Sequence, residues 1–283
     1  MRIEVVGSRG QLGRELLGVL SRSGHEATGH DVDEVDIREP GSVAMLLDAV
    51  HPDAVINCAA WTRVDAAEAA EEEAHRVNCA AAGVLAAACR ERDVLLCHLS
   101  TDYVFDGNAR APIDETAMPR PTSAYGRTKL AGEEAVRSIW ARHQLVRTAW
   151  LYGQGGPNFV LTMLRLAREG RPLRVVSDQR GSPTWTGHLA PAIVRLVERG
   201  TLGTFHLTNA GSCTWYELAA ATLRRAGLEV EVEPITTADY PTAAPRPAYS
   251  VLDNRRWREL GEPPLPDWRK GLTAYLESMG PPR

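Results

Sequence analysis

Three side chains near the middle of the chain have the types and spacing of a proton-transfer site. Tyr125 and Lys129 stand four residues apart in Ser123-Ala124-Tyr125-Gly126-Arg127-Thr128-Lys129, a spacing that puts both on one face of a helix. A free tyrosine titrates near pH ~10, too high for efficient proton transfer at neutrality. A neighbouring ammonium favours the phenolate, so Lys129 is expected to bring Tyr125 toward a useful acid/base range. Upstream, Leu99-Ser100-Thr101-Asp102-Tyr103-Val104-Phe105-Asp106-Gly107 begins at the end of an apolar run that reads as a strand. Open α/β sheets bind ligands beyond the carboxyl ends of their strands. A Thr101 hydroxyl there would hydrogen-bond a substrate carbonyl oxygen while Tyr125 protonates it.

Such chemistry needs an electron source, and the N-terminus offers a place to hold one. Gly7-Ser8-Arg9-Gly10-Gln11-Leu12-Gly13 lies between a strand candidate and a helix candidate. Glycines at such points permit a tight turn, close approach to a pyrophosphate and close packing of helix on sheet, and the helix N-terminus offers free N–H groups to the anion. The spacing is G-x-x-G-x-x-G instead of G-x-G-x-x-G. Asp31, further on, suits hydrogen bonds to the adenosine ribose and favours NADH, whereas Arg9 would attract the 2′-phosphate of NADPH. The choice between the two stays open. Asp36 and Ile37 are expected to flank the adenine, and Lys129 to hold the nicotinamide ribose.

These residues must be carried by alternating strands and helices. Residues 2–6, 54–57, 94–99 and 145–151 read as strands; the stripe Leu12, Leu16, Leu17, Leu20 and the stretches 78–92 and 124–142 read as helices. That alternation predicts an α/β fold, a Rossmann-like doubly wound parallel sheet joined by right-handed crossovers. After about residue 152 the rhythm loosens into helical patterns at 158–169, 187–199, 214–226 and 267–277. The expected division is a dinucleotide-binding domain over 1–152 and a smaller, mainly substrate-binding α/β domain over 153–283, with parts of 172–208 returning to the first. The proline-rich stretch 233–250 reads as a long ordered loop.

Composition removes other classes. Lys plus Arg number 32 against 36 Asp plus Glu, a net charge of −4 that argues against nucleic-acid binding. No apolar run approaches the ~20 residues of a bilayer span, and no signal-peptide core precedes the first strand. Five cysteines without a C-x-x-C pair indicate neither a disulfide scaffold nor a zinc knuckle. The expectation is a cytoplasmic protein. His25 and His30 are five apart, which turns the imidazoles away from each other on a helix and spoils a metal reading.

The combined motifs resemble the extended short-chain dehydrogenase/reductase superfamily and, within it, the dTDP-4-dehydrorhamnose reductases. The likeness runs through the glycine segment, Asn57-Cys58-Ala59-Ala60-Trp61-Thr62-Arg63-Val64-Asp65, Ser100–Phe105, Tyr125–Glu133, Arg147-Thr148-Ala149-Trp150-Leu151-Tyr152-Gly153, and Asp178-Gln179 through Pro183-Thr184. It implies that Gly10, Gln11 and Leu12 line the pyrophosphate, that Ala60, Trp61 and Thr62 pass beneath the cofactor, and that Leu99 packs near the nicotinamide. Thr101, Tyr125 and Lys129 match the catalytic triad; Tyr103 and Trp150 match sugar contacts, with Asp102 beside them. The implied reaction is reduction of the C4 ketone of dTDP-4-dehydro-β-L-rhamnose to dTDP-β-L-rhamnose by NADPH or NADH, in a monomer or homodimer. Arg246 is a candidate for the diphosphate. Some relatives bridge a dimer through carboxylate-bound magnesium; Glu15 matches one ligand, but 183–188 lacks the other, so no metal is expected. Related 4,6-dehydratases have Thr-Asp-Glu where this chain has Thr101-Asp102-Tyr103, and tyrosine cannot act as their second carboxylate base. Two alternatives remain: a 4-ketoreductase for another dTDP-deoxysugar, and a non-catalytic dinucleotide-binding subunit like the β subunit of methionine adenosyltransferase.

Overall fold

The computed structural model describes residues 1–280; the end of the expected second domain, 281–283, lies outside the described residues. Its centre is a parallel sheet built from β1 (Arg2–Val6), β2 (Glu26–His30), β3 (Ala54–Asn57), β4 (Leu95–Thr101), β5 (His143–Thr148) and the strand Gly203–His206. The order across it is Gly203–His206, β5, β4, β3, β1, β2, so the direction of winding reverses between β1 and β3. A crevice opens at such a reversal, beyond the carboxyl ends of the strands.

Strands buried on both faces explain the continuous apolar runs. Ile3, Val5, Ile56, Cys97 and Val146 pack under α1 (Gln11–Arg22) and the helix Thr186–Arg199. Val6, Val55, Leu96 and Leu145 pack under the helices Pro40–Val50 and Ala81–Glu91 on the opposite face. The strand Gly203–His206, separated from the end of β5 by 54 residues of chain, pairs with it in parallel, placing Phe205 beside Val146. A second lobe gathers the helices Phe159–Arg168, Trp215–Arg225 and Trp268–Ser278 around Tyr152, Trp268 and Tyr275.

Three expected elements differ. The helix predicted over 78–92 begins earlier, with a π-helical turn at Arg76–Ala80 joining Glu71–His75 to Ala81–Glu91. The strand predicted over 145–151 stops at Thr148 because Trp150 adopts φ +48°, a left-handed conformation that breaks extended pairing; Leu151–Tyr152 then pairs with Thr184–Trp185. Within 233–250, Val232–Ile235 pairs in parallel with Leu173–Val176, and Pro234 is tolerated because each strand of a two-stranded ribbon has an unpaired edge.

Candidate active site

The turn after β1 is shaped by close approach. Gly7 has φ +75°, and a Cβ on it would lie 2.5 Å from the Ala59 backbone nitrogen; a Cβ on Gly13 would lie 2.3 Å from the Gly7 carbonyl oxygen. The N-cap of α1 is Gly10, which supplies no side-chain cap, so the first N–H groups of the helix are left to a ligand in the crevice. That cradle fits a dinucleotide pyrophosphate. Gln11 reaches across the groove and donates from Nε2 to the Pro157 carbonyl at 3.1 Å, tying the loop Gly155–Pro157 to the cradle.

One cleft of about 990 Å³ runs from this cradle to the second lobe. Gly7, Gly10, Gln11, Leu12, Gly13, Asp31, Asp36, Ile37, Ala60, Trp61, Thr62, Leu99, Thr101, Asp102, Tyr103, Tyr125, Lys129 and Trp150 all line it. Arg246 is not among its lining residues: its guanidinium is held 2.6 Å from the Asp65 carboxylate. Glu15 faces Arg22 at 3.7 Å.

The helix Ala124–Ile139 carries the phenol and the ammonium. Ser123 caps it, its Oγ accepting the Gly126 N–H at 3.1 Å, and Glu68 accepts the Ala124 N–H at 2.8 Å, which fixes where the helix enters the site. Lys129 is buried and donates from Nζ to the Leu99 carbonyl at 2.6 Å. Tyr103 packs edge-on against Tyr125 with ring centroids 5.5 Å apart. Thr101 Oγ1 accepts the Tyr103 N–H at 3.2 Å and donates to Asp102 Oδ1 at 3.1 Å.

The electrostatics differ from the expectation for Tyr125. Burial pushes its phenol up to about 12, outweighing the opposing hydrogen bond from Thr101, and Lys129 does not pull it down. Burial likewise lowers the Lys129 ammonium to about 8, against the pull of Glu133. For each group the loss of water outweighs the polar neighbours that oppose it. Tyr125 stands as a neutral phenol at physiological pH, the state a proton donor requires.

Asp102 gives a testable consequence. Burial pushes its carboxyl up to about 6, against the Ser250 and Thr101 hydroxyls. A carboxyl whose folded value exceeds its unfolded value of about 3.9 contributes stability that is complete below the lower value and lost as pH rises through the higher one, here about 2 to 3 kcal/mol. Asp102→Asn is neutral throughout. Its Tm relative to the parent is expected to be clearly higher at pH 8 than at pH 4; an equal offset at both would contradict the burial argument.

Several site residues carry no signal in local spacing. Asn78, buried on the π-helical turn, accepts the Trp61 N–H at 2.9 Å and donates to the Trp61 carbonyl at 3.2 Å and to Thr128 Oγ1 at 3.1 Å. It thereby fixes the floor of the cleft to the helix that holds Tyr125. A π-turn at a functional site is a recurrent device, but its register is not readable from residue order. Trp215 comes from the second lobe and stacks flat on Trp150, with centroids 3.5 Å apart and planes within 5°. Cys58, Arg38 and the loop Gly155–Pro157 also line the cleft.

A doubly wound parallel sheet with a glycine cradle at its reversal point and Thr101, Tyr125 and Lys129 in the same crevice defines a short-chain dehydrogenase/reductase type of α/β fold. The chain matches the family described as RmlD substrate binding domain over residues 1–280, and it belongs to that family. It is 45% identical over 271 residues to a Streptomyces niveus protein named dTDP-4-keto-6-deoxy-D-glucose reductase, covering 95% of this chain and 94% of that one. A crystal structure of a dTDP-4-dehydrorhamnose reductase from Clostridium acetobutylicum superposes with a TM-score of 0.96 at 40% identity, covering 99% of both chains. The corresponding enzyme of Bacillus anthracis, solved in complex with NADP, superposes with a TM-score of 0.96 at 36% identity, covering 98% of this chain and 99% of that one.

Proposed function

We propose that this protein is an NAD(P)H-dependent oxidoreductase that reduces the C4 ketone of dTDP-4-dehydro-β-L-rhamnose to dTDP-β-L-rhamnose. The observation that carries the reading is the sharing of one cleft by the pyrophosphate cradle and the Thr101, Tyr125, Lys129 set. The reduced nicotinamide, when bound, supplies the hydride. Tyr125 donates the proton to the ketone oxygen as negative charge develops there, and its burial keeps that proton in place until it is needed. Thr101 orients the carbonyl through its hydroxyl, which Asp102 and the Tyr103 N–H hold in position. Lys129, anchored on the Leu99 carbonyl, holds the nicotinamide ribose and offers its charge to the tyrosinate left behind. Gly7, Gly10, Gln11, Leu12 and Gly13 hold the pyrophosphate; Asp31, Asp36 and Ile37 take the adenosine; Ala60, Trp61, Thr62 and Leu99 form the floor. Asp102, Tyr103 and Trp150 face the sugar.

The similarity to proteins named dTDP-4-dehydrorhamnose reductase supports this substrate. The Streptomyces niveus relative supports a second reading, a 4-ketoreductase for another dTDP-6-deoxysugar, with the same residues in the same roles. Residues 1–152 would hold the cofactor and most of the remainder the sugar nucleotide. Participation of Thr186–Arg199 and Gly203–His206 in the main sheet and its cover supports a return of that segment to the first unit. Five free cysteines suit a reducing, cytoplasmic setting, and no helix among the described residues is long and apolar enough to cross a membrane. The active unit is a monomer or homodimer.

The test offers both reduced cofactors with a panel of dTDP-4-ketosugars and reads product stereochemistry by NMR. Oxidation of cofactor with formation of dTDP-β-L-rhamnose is expected. Stoichiometric dinucleotide binding without turnover on any ketosugar would overturn the catalytic reading in favour of a binding subunit.

A further inference from the structure

The Thr101 hydroxyl carries a single proton, and Asp102 and a ketone oxygen in the cleft both compete for it. A hydroxyl donates one hydrogen bond and has two lone pairs with which to accept. Thr101 Oγ1 already accepts the Tyr103 N–H at 3.2 Å, and its 3.1 Å contact with Asp102 Oδ1 serves a bond in either direction. An ionised Asp102 has no proton, so Thr101 must donate to it and has nothing left for the ketone. A neutral Asp102 donates its own O–H to Thr101 Oγ1. Both acceptor positions of the hydroxyl are then filled, and the Thr101 proton is released toward the cleft that both residues line.

The surroundings of Asp102 favour the neutral form. The residue is 2% exposed, and its Oδ2 is buried with no hydrogen-bond partner among the described residues. A buried carboxylate with one bare oxygen is costly, whereas the carbonyl oxygen of a neutral acid bears that isolation far better. The Ser250 hydroxyl acts on the carboxyl but lies outside hydrogen-bond geometry. The titratable groups nearest it are phenols, Tyr125 from the helix Ala124–Ile139 and Tyr103 from its own turn. Lys129, on that same helix, is turned to the Leu99 carbonyl. The charged pair of Arg246 and Asp65 bears on Tyr103, while the groups bearing on Asp102 are hydroxyls and backbone N–H.

We infer that Asp102 is a positioning residue that works as a neutral acid, donating to Thr101 Oγ1 and so turning the Thr101 proton onto the ketone oxygen. Loss of the Asp102 proton to solvent reverses that one hydrogen bond and withdraws Thr101 from the ketone, while Tyr125 keeps its own proton. The inference rests on the reductase reading and deepens it by assigning the direction of the hydrogen bonds at Thr101.

The experiment follows cofactor oxidation in single turnover from about pH 5.5 to about 8.5, with the whole protein and whichever dTDP-4-ketosugar of the panel it reduces. The parent rate is expected to fall about tenfold between about pH 5.5 and about 7.5 as Asp102 ionises, a part of the roughly 10² to 10³ lost with a whole oxyanion donor. The amide of Asp102→Asn donates to Thr101 at every pH, so this limb should vanish and leave only the decline near 8 from Lys129. Thr101→Val has no proton to redirect, so its slower rate should also lack the limb. Fluorescence of bound reduced cofactor checks at each pH that both variants are folded. A parent rate that stays flat up to about pH 7.5 would overturn the inference, and so would the same decline in Asp102→Asn. A decline kept in Thr101→Val would mean that Asp102 acts on the sugar directly, which overturns it too. Each of these leaves the reductase reading intact, whereas absence of parent turnover on every ketosugar at every pH would overturn both.

Discussion

Tyr125→Phe is expected to lower kcat for ketosugar reduction by about 10² to 10⁴, the usual contribution of a positioned general acid, while the dissociation constant for reduced cofactor stays within a factor of a few. The asymmetry follows from the geometry. The phenol ring packs against Tyr103 and on the cluster formed by Ala67, Ala74 and Ala124, contacts that phenylalanine keeps. Only the hydroxyl beside Thr101 is lost. Stopped-flow absorbance of the cofactor under single turnover reads the chemical step separately from product release. An undiminished single-turnover rate would remove Tyr125 as proton donor. Because burial sets its titration at about 12, no decline of rate between pH 7 and 9 should trace to Tyr125 in the free protein; a decline near 8 would instead report Lys129.

The second large effect concerns what holds that tyrosine in place. Tyr125, Lys129 and Glu133 recur every four residues along one face of the same helix, and each meets the end of β4 or its neighbour. Glu133 is fully buried, with four donors on its carboxylate: Ser100 Oγ at 2.6 Å, Arg147 Nε at 2.8 Å and Nη2 at 2.7 Å, and Arg137 Nη2 at 2.8 Å. Burial alone would push this carboxyl up; hydrogen bonds and charge from Arg147, with Ser100 and Arg137, outweigh it and hold the group below the usual carboxylate range. Arg147, itself 2% exposed, would be left as an uncompensated buried cation by Glu133→Ala. The expected loss of stability is about 3 to 5 kcal/mol, the range for breaking one side of a buried pair. Denaturant titration at pH 7 measures it, and a loss under 1 kcal/mol would deny the pair its structural role. Since the folded carboxyl titrates below the unfolded one, this stabilisation is full above pH ~4.3 and fades as pH falls through the folded value. The difference between parent and variant should therefore narrow in acid.

What could be read from residue order was whatever depends on short spacing. Gly7, Gly10 and Gly13 sit where backbone must approach backbone, and Tyr125 and Lys129 share a helical face, so local geometry alone marked them. The strands β3 and β4 were legible because burial on both faces leaves largely apolar runs without alternation. Contacts closed over long loops left no such trace. Nothing around Asn78 announces that it will grip Trp61, and nothing near Trp215 tells that it will cover Trp150. The left-handed backbone of Trp150 is likewise invisible, since tryptophan has no preference for it and the surrounding packing must impose it. The expected lowering of Tyr125 by Lys129 failed for a related reason: spacing tells which groups are neighbours but not how much water each loses.

The placement of Gly203–His206 against β5 bears on how the chain is made. A ribosome releases β1 through β5 well before that strand, so for some fifty residues of synthesis the nascent sheet carries an open β5 edge with its hydrogen-bonding groups unpaired. Domains generally fold as units during synthesis, and exposed edges invite association between neighbouring nascent chains. Completion of this sheet must wait for the later segment to emerge, so residues 1–152 alone do not supply all six of its strands.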